Sequence, residues 1–345
     1  MRTKLRISVL LFGLLFPTFA LKAQSGGFAG ASTRLGFNAN SLARANAMTA
    51  VTTEGPLSYF NPALTSLRSD KIPLQLSVGS LQFDRVFQST AVQFQLPPTA
   101  AFSVQIIRTG INDIDGRTVS GYYTDTFSTN EYQINGSFGI RLNERLLAGI
   151  GIKFNMADYH SDLDIATAVG LDLGFIWRTT DSFNIGLTVQ DLFASYTWNS
   201  AELYGLDQNR NVNNYFPTRF TLGLAYEKEL FDISADLEVQ SLRSEVSESE
   251  FDILGGSPVV FSNTDEVRTS AVILRSGGSW RAHERFTLRG GWRIADASDS
   301  DSWGMSTGFS LHLPFDLLSP SIDYAFAIEP YRISRIHMFS LRFDL

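Results

Sequence analysis

The chain has 345 residues, 44% of them hydrophobic and none cysteine, and its 28 basic and 35 acidic residues give a net charge of −7. Without cysteine there is no disulfide framework, thiolate metal site or thiol nucleophile, and the acidic balance argues against a binder of nucleic-acid phosphates. The only long apolar run lies at the extreme N-terminus, so the spans of roughly 20 apolar residues that a polytopic helical protein needs are missing.

That first run carries Arg2, Lys4 and Arg6 ahead of an apolar core, Ile7 to Phe16, too short to cross a bilayer. The order predicts a secretory signal peptide over residues 1–23, cut after Ala20 or Ala23. Cleavage after Ala23 takes away four basic residues and no acidic one, leaving 24 against 35 and a charge of −11. Residues 24–70 follow, rich in Gly, Ala, Ser and Asn and without a strand period. They include a helix-compatible stretch from Ser41 to Met48. So little hydrophobic bulk ahead of a sheet predicts an N-terminal hatch, a plug tucked into one mouth of a barrel. Within it, Tyr59-Phe60-Asn61-Pro62-Ala63 reads as a tight turn, because asparagine bonds the backbone just beyond it and proline fixes φ. Tyr59 and Phe60 are the members that could touch a ligand.

Residues 71–345 alternate with period two. Leu146, Ala148, Ile150, Ile152, Phe154 and Met156 interleave with Leu147, Gly149, Gly151, Lys153 and Asn155, and Val169, Leu171, Leu173, Phe175 and Trp177 repeat the pattern. One oily face and one small or polar face fit strands set between hydrocarbon and a polar interior. Fourteen such strands are predicted, at about 72–84, 86–96, 99–112, 129–142, 146–160, 164–178, 182–193, 215–228, 230–244, 264–281, 285–296, 302–313, 318–329 and 333–345. The fold expected is all-β, a fourteen-stranded antiparallel transmembrane barrel in the bacterial outer membrane. Short turns follow the even-numbered strands, and the long connections 113–128, 194–214 and 245–263 all follow odd-numbered ones. This asymmetry puts the short turns in the periplasm. A soluble sandwich or solenoid would bury the oily face and has no need of it. Phe339, Leu341, Phe343 and Leu345 alternate to the last residue, which resembles the C-terminal signal that a barrel assembly machinery recognises.

Gly27-Phe28-Ala29-Gly30-Ala31, Asn46-Ala47-Met48-Thr49-Ala50-Val51 and Tyr59-Phe60-Asn61-Pro62-Ala63-Leu64 together resemble the N-terminal signature of FadL-like outer-membrane barrels, and more closely that of the PorV/PorQ family. The resemblance implies fourteen strands with an N-terminal hatch, and a non-enzymatic docking or scaffold role in type IX protein secretion and surface attachment. Implied partners are outer-membrane lipid, the assembly machinery, and secretion or surface proteins. The alternative is a FadL-like passive channel for small hydrophobic molecules. Against it, the loops Asn112–Arg117, Asp207–Asn211 and Ser244–Glu250 are modest and polar, whereas fatty-acid transporters of the FadL group have longer ones.

No catalytic constellation is legible. Of the four histidines, His160, His283, His312 and His337, only His312 is expected in the lumen, and no serine motif or acidic partner lies at triad spacing. Asp158-Tyr-His160-Ser-Asp162-Leu-Asp164 is the best metal-like cluster, though such a run is more often a solvated rim. Asp113-Ile-Asp115-Gly116 lacks a closing glutamate, and Asp296 to Asp301 reads as solvated. No metal or cofactor is expected. If oily residues face lipid, Asp232, Asp236 and Glu238 point inward beside Arg275, Arg289 and Arg293. Mixed signs on adjacent strands favour a filling ion-pair lattice, with Arg289 the partner of Asp236 or Glu238, over an ion-selective pore.

Overall fold

A strand surrounded by hydrocarbon must pair both of its edges, since no water is present to satisfy an open one. A computed structural model describes residues 28–160, 163–199, 211–254, 257–296, 298–315, 320–329 and 334–345. The signal peptide over 1–23 lies outside the described residues. The strands are β1 (Pro73–Leu81), β2 (Arg85–Leu96), β3 (Ala100–Arg117), β4 (Tyr123–Arg141), β5 (Leu146–Asp158), β6 (Ala166–Arg178), β7 (Phe183–Leu192), β8 (Ser195–Asn199), β9 (Asn211–Tyr215), β10 (Thr218–Glu227), β11 (Phe231–Leu254), β12 (Ser257–His283), β13 (Phe286–Ile294), β14 (Trp303–His312), β15 (Ser321–Ile328) and β16 (Arg335–Asp344). Fourteen of them close into one antiparallel barrel, with β8 and β9 forming a separate hairpin. All fourteen predicted strands are present.

The alternation sorts the two faces as expected. On β5, Ile150, Ile152 and Phe154 are exposed on the outer wall while Gly151, Lys153 and Asn155 are buried inside. The seam joins the two chain-terminal strands, from Pro73↔Asp344 to Leu81↔Ile336. It is extended by Ile72 N–H donating to the Leu345 carbonyl at 2.9 Å and Leu345 N–H to Ile72 at 3.0 Å. Phe339 and Leu341 face outward on this seam, which is where their oily side chains meet lipid.

The long connections differ from expectation. The ladder between β3 and β4 continues to Arg117↔Tyr123, and β11 pairs with β12 from Phe231↔Trp280 out to Leu254↔Ser257. Thus 113–128 and 245–263 are largely strand. Apolar alternation stops in these stretches of the sequence although backbone pairing continues. The third connection contains the hairpin β8/β9, with 200–210 outside the described residues, including most of the Asp207–Asn211 run.

Residues 28–67 run inside the barrel and are called the luminal segment below. Its helix, α1 (Ala39–Ala43), starts earlier and ends sooner than the predicted Ser41–Met48 stretch. Asn38 caps it by accepting from Ser41 N–H at 2.8 Å. Ala45 and Asn46 then turn left-handed at φ 51° and 61°, which no helix can continue through.

Deleting Phe343–Leu345 removes the last pairs of the seam and leaves β1 with an open edge in hydrocarbon. The truncated protein should lose the heat-modifiable gel migration of a closed barrel, and normal migration at wild-type abundance would contradict this.

Candidate functional site: the luminal segment and the cavity above it

The inner wall is cut back where the segment lies. Gly139, Gly149 and Gly174 sit side by side on β4, β5 and β6, as do Gly186 and Gly223 on β7 and β10, and Gly277 and Gly291 on β12 and β13. A Cβ at any of these would come within 3.0 Å of segment atoms, belonging to Asn61–Ser66, Thr49–Ala50 or Arg44–Ala45. The segment therefore rests on wall backbone. Asn61 donates to the Thr49 carbonyl at 3.0 Å and the Phe175 carbonyl at 3.3 Å, and its Oδ1 accepts from Ala63 N–H at 3.0 Å. Pro62 and Ala63 open a buried 3-10 turn, Pro62–Ser66. The Tyr59 hydroxyl donates to Thr33 O at 2.7 Å, and its ring stacks on Phe37 and meets Phe60 edge-on. Tyr59 and Phe60 belong to this packing and do not line the cavity described below.

Inward charges hold the segment from the wall. Asp236 accepts from the Met48 and Thr49 N–H groups at 3.0 Å and from the Thr49 hydroxyl at 2.7 Å. Glu227 accepts from Thr52 N–H and hydroxyl at 2.6 Å, and Asp232 pairs with Arg44. Arg289 grips Glu54 through contacts of 2.8–3.1 Å. The expected pairing of Arg289 with Asp236 or Glu238 is thus corrected: its partner comes from the segment, which has no period by which to place it. Glu238 does pair with Arg275, at 3.0 and 3.1 Å. Burial opposes ionisation of Glu54, but Arg289, Arg342 and Arg44 prevail and hold it at about 2. Its contribution to stability is therefore complete above the ordinary glutamate range and is lost as pH falls toward 2.

A second network was not singled out from the sequence. Lys153, wholly buried, bonds Asp172 at 2.7 Å and Asp191 at 3.0 Å. Asp191 also receives Arg219 at 2.9 Å and Arg34 of the segment at 3.1 Å. Lys153 and Asp172 occupy polar positions of strongly alternating runs and were legible in that sense. Asp191 was not, because a bulge between β6 and β7 turns Gln190 and Asp191 inward together.

Above the segment, toward the long-hairpin end, lies a cavity of about 480 Å³ with a side lobe of about 130 Å³. Phe28, Leu35, Leu42, Met305, Ile328 and Ile336 give it apolar surface, and Arg34, Arg85, Glu131, Tyr159, Arg275, Arg293 and Glu329 give it polar surface. The hairpin β8/β9 packs against Tyr159 of its lining: Trp198 stacks on Tyr159 with centroids 5.1 Å apart, and Tyr196 packs on Phe216 at 5.0 Å. Its residues cover the inner faces of β5 and β6 at Ala157, Ala166 and Ala168, so this connection is no simple outward loop.

His312 lies on β14 near Arg289 and Arg342 in a small cavity at the short-turn end. Among the described residues no group of three or more His, Asp and Glu is placed to hold a metal. His160 packs on the Phe127 ring at 5.0 Å, and Asp162 lies outside the described residues.

A family model described as "F plasmid transfer operon, TraF, protein" matches residues 137–238, under half of the chain. No curated protein matches the sequence. The solved toluene transporter TbuX of Ralstonia pickettii is similar with a TM-score of 0.60 and 14% identity, over 90% of this chain and 98% of that one. The Pseudomonas putida toluene transporter TodX gives 0.61 and 13%, over 90% and 99%. A Pseudomonas aeruginosa FadL homologue gives 0.60 and 13%, over 89% and 98%. At such identities the likeness is one of fold, and it extends across nearly the whole of each barrel. It falls on two toluene transporters and a FadL homologue, none of which carries the narrower PorV/PorQ description.

Arg289→Leu strands the Glu54 carboxylate with Arg44 and Arg342 no nearer than 3.8 Å. It should cost about 3 kcal/mol, the lower end for breaking a buried pair, and Glu54→Leu added to it should restore most of that. Urea titration of barrels refolded into vesicles checks both; equal stability of the single variant and wild type would show that the pair does not anchor the segment.

Proposed function

We propose that this chain is a passive outer-membrane channel for small, mainly apolar molecules, with residues 24–70 as its hatch and the short turns in the periplasm. The observation that carries this reading is the cavity: a chamber of about 480 Å³, lined by both apolar and polar residues, sits between the long-hairpin end and a segment that fills the barrel beneath it. That is the size range of a small-molecule site. The shared fold with two toluene transporters and a FadL homologue supports the same reading. No group in it calls for chemistry on the cargo, so the reading is non-enzymatic.

The docking role in type IX secretion is the second reading, and one observation favours it. Beyond Ser241↔Ser270, β11 and β12 have, among the described residues, no ladder partner but each other, so a paired ribbon extends past the closed barrel. Secretion or surface proteins would bind there.

Uptake separates the two. Gram-negative cells making the protein should accumulate labelled toluene faster than cells with an empty vector, and Asn61→Ala with Pro62→Gly, which loosens the hatch, should add leakage of charged solutes. Wild-type uptake no faster than vector, with a protein co-purifying through the β11/β12 ribbon, would replace the channel by the docking role.

A further inference from the structure

The outer wall carries a cation where its apolar belt ends toward the long hairpins. On β3, Phe102, Val104 and Ile106 face outward, and the next outward residue is Arg108, set between buried Ile107 and Thr109. On β4 the matching outward run is Phe138, Gly136 and Ile134, followed by Tyr132, which pairs with Arg108. Gly110 and Asn130 come next, so the oily belt stops at this level. Aromatic residues flank the apolar band of an outer-membrane barrel at its interfaces, and an arginine on the lipid face is tolerated there but costly at the midplane.

Arg108 is half-buried and held in one orientation. Its Nη1 donates to Gln88 at 3.1 Å, and its Nη2 donates to Asn112 at 3.1 Å and Asn130 at 2.7 Å. The bonds to Gln88 and Asn112 lie on exposed surface. All the acceptors are neutral amide oxygens, and a guanidinium carries more N–H donors than these bonds use, the Nε–H among them. Arginines nearer the hairpin tips differ, since Arg117 pairs with Asp115 and Arg243 with Glu266. Among the described residues no carboxylate pairs with Arg108, Asp158 opposite Asn130 included. A fixed positive charge therefore stands at the edge of the bilayer without a counter-ion.

Below it the oily wall is notched. Gly136 sits between Val104 of β3 and Ile152 of β5, and a Cβ there would have only the Phe102 ring near it, at 3.8 Å. The notch is four residues along the strands from Arg108, about 13 Å. Charge and notch are thus arranged as the headgroup and chain of a lipid are. With the short turns in the periplasm, this edge of the belt meets the outer leaflet, where the anionic groups at the end of the hydrocarbon are the phosphates of glycolipids. Arginine is well suited to phosphate. We propose that this face of β2–β4 binds a phosphorylated glycolipid of the lipid A type, with a phosphate on Arg108 and an acyl chain over Gly136. A phospholipid of the periplasmic leaflet would present its phosphate at the opposite edge. The site lies on the outside of the wall and is independent of what the barrel carries.

Native mass spectrometry of the delipidated barrel in detergent tests it, with bisphosphorylated lipid A and the same lipid stripped of its phosphates as the two probes. The wild type should retain the phosphorylated form about tenfold more tightly, the ratio that one hydrogen bond to a charged group supplies. Arg108→Gln removes the charge and should bring the ratio near one. Gly136→Leu fills the notch and should weaken both forms together, with the ratio kept. Heat-modifiable migration reports that each variant is folded, and if Arg108→Gln is not, the wild-type ratio decides alone. Equal retention of the two probes by the wild type overturns the site, as does a ratio unchanged in folded Arg108→Gln. Gly136→Leu that retains both forms as the wild type does overturns the acyl seat, and with it the lipid as the ligand.

Discussion

Peptide groups in hydrocarbon must be bonded within the protein, and that single constraint shapes both sides of this barrel. On the outside it forces closure, so the first and last strands meet and the terminal Leu345 bonds Ile72. On the inside it creates a second problem, because a segment of irregular backbone fills the lumen and most of its N–H and carbonyl groups have no ladder. The inward side chains solve it. Asp236 takes two consecutive segment N–H groups, Glu227 takes Thr52, Ser340 takes Ala39, and Asn61 of the segment reaches back to a wall carbonyl.

This explains why so many carboxylates on the inner wall are not simply matched by neighbouring wall cations. Several of them serve the segment's backbone or its arginines, and the reciprocal case is Glu54 of the segment held by wall Arg289. The glycine pairs do the steric half of the work. They remove Cβ atoms where the segment passes, so its backbone approaches the sheet closely enough for these bonds to form. Wall and segment are therefore specified together, and a larger residue at Gly149 or Gly174 would displace the turn at Asn61–Pro62.

Where hydrocarbon and lumen impose opposite polarity, the sequence states the structure openly, and all fourteen barrel strands were readable from it. Legibility ends where the two faces stop differing. The upper ribbons of β3/β4 and β11/β12 carry no apolar alternation in their sequence, so they read as loops although they are paired. Bulges hide residues in another way, since Asp191 joins Gln190 on the inner face out of phase. The inward position of Asp236, Glu238, Arg275 and Arg289 followed from parity alone, but the partner of Arg289 did not. Parity says which way a wall residue points and nothing about a segment that has no period. The cavity was hidden for the same reason, because Arg34 and Leu35 come from the segment and Glu131 from the wall.

If the barrel passes small molecules as proposed, the attachments also bound how it can open. A ligand of eight non-hydrogen atoms can contribute at most about 12 kcal/mol, at a ceiling of about 1.5 per atom that only the best tiny ligands reach. Expelling the segment would break its bonds to Asp236, Glu227, Asp232 and Arg289, and a buried charge robbed of its partner costs about 3 kcal/mol or more. Together these match or exceed the ligand's whole ceiling, before the packing of Phe37, Met48 and Leu64 is counted. Ligand binding alone therefore cannot drive out the luminal segment. On that proposal, a molecule leaving the chamber would pass through a local rearrangement that spares most of these attachments, and the charged anchors would keep that opening small.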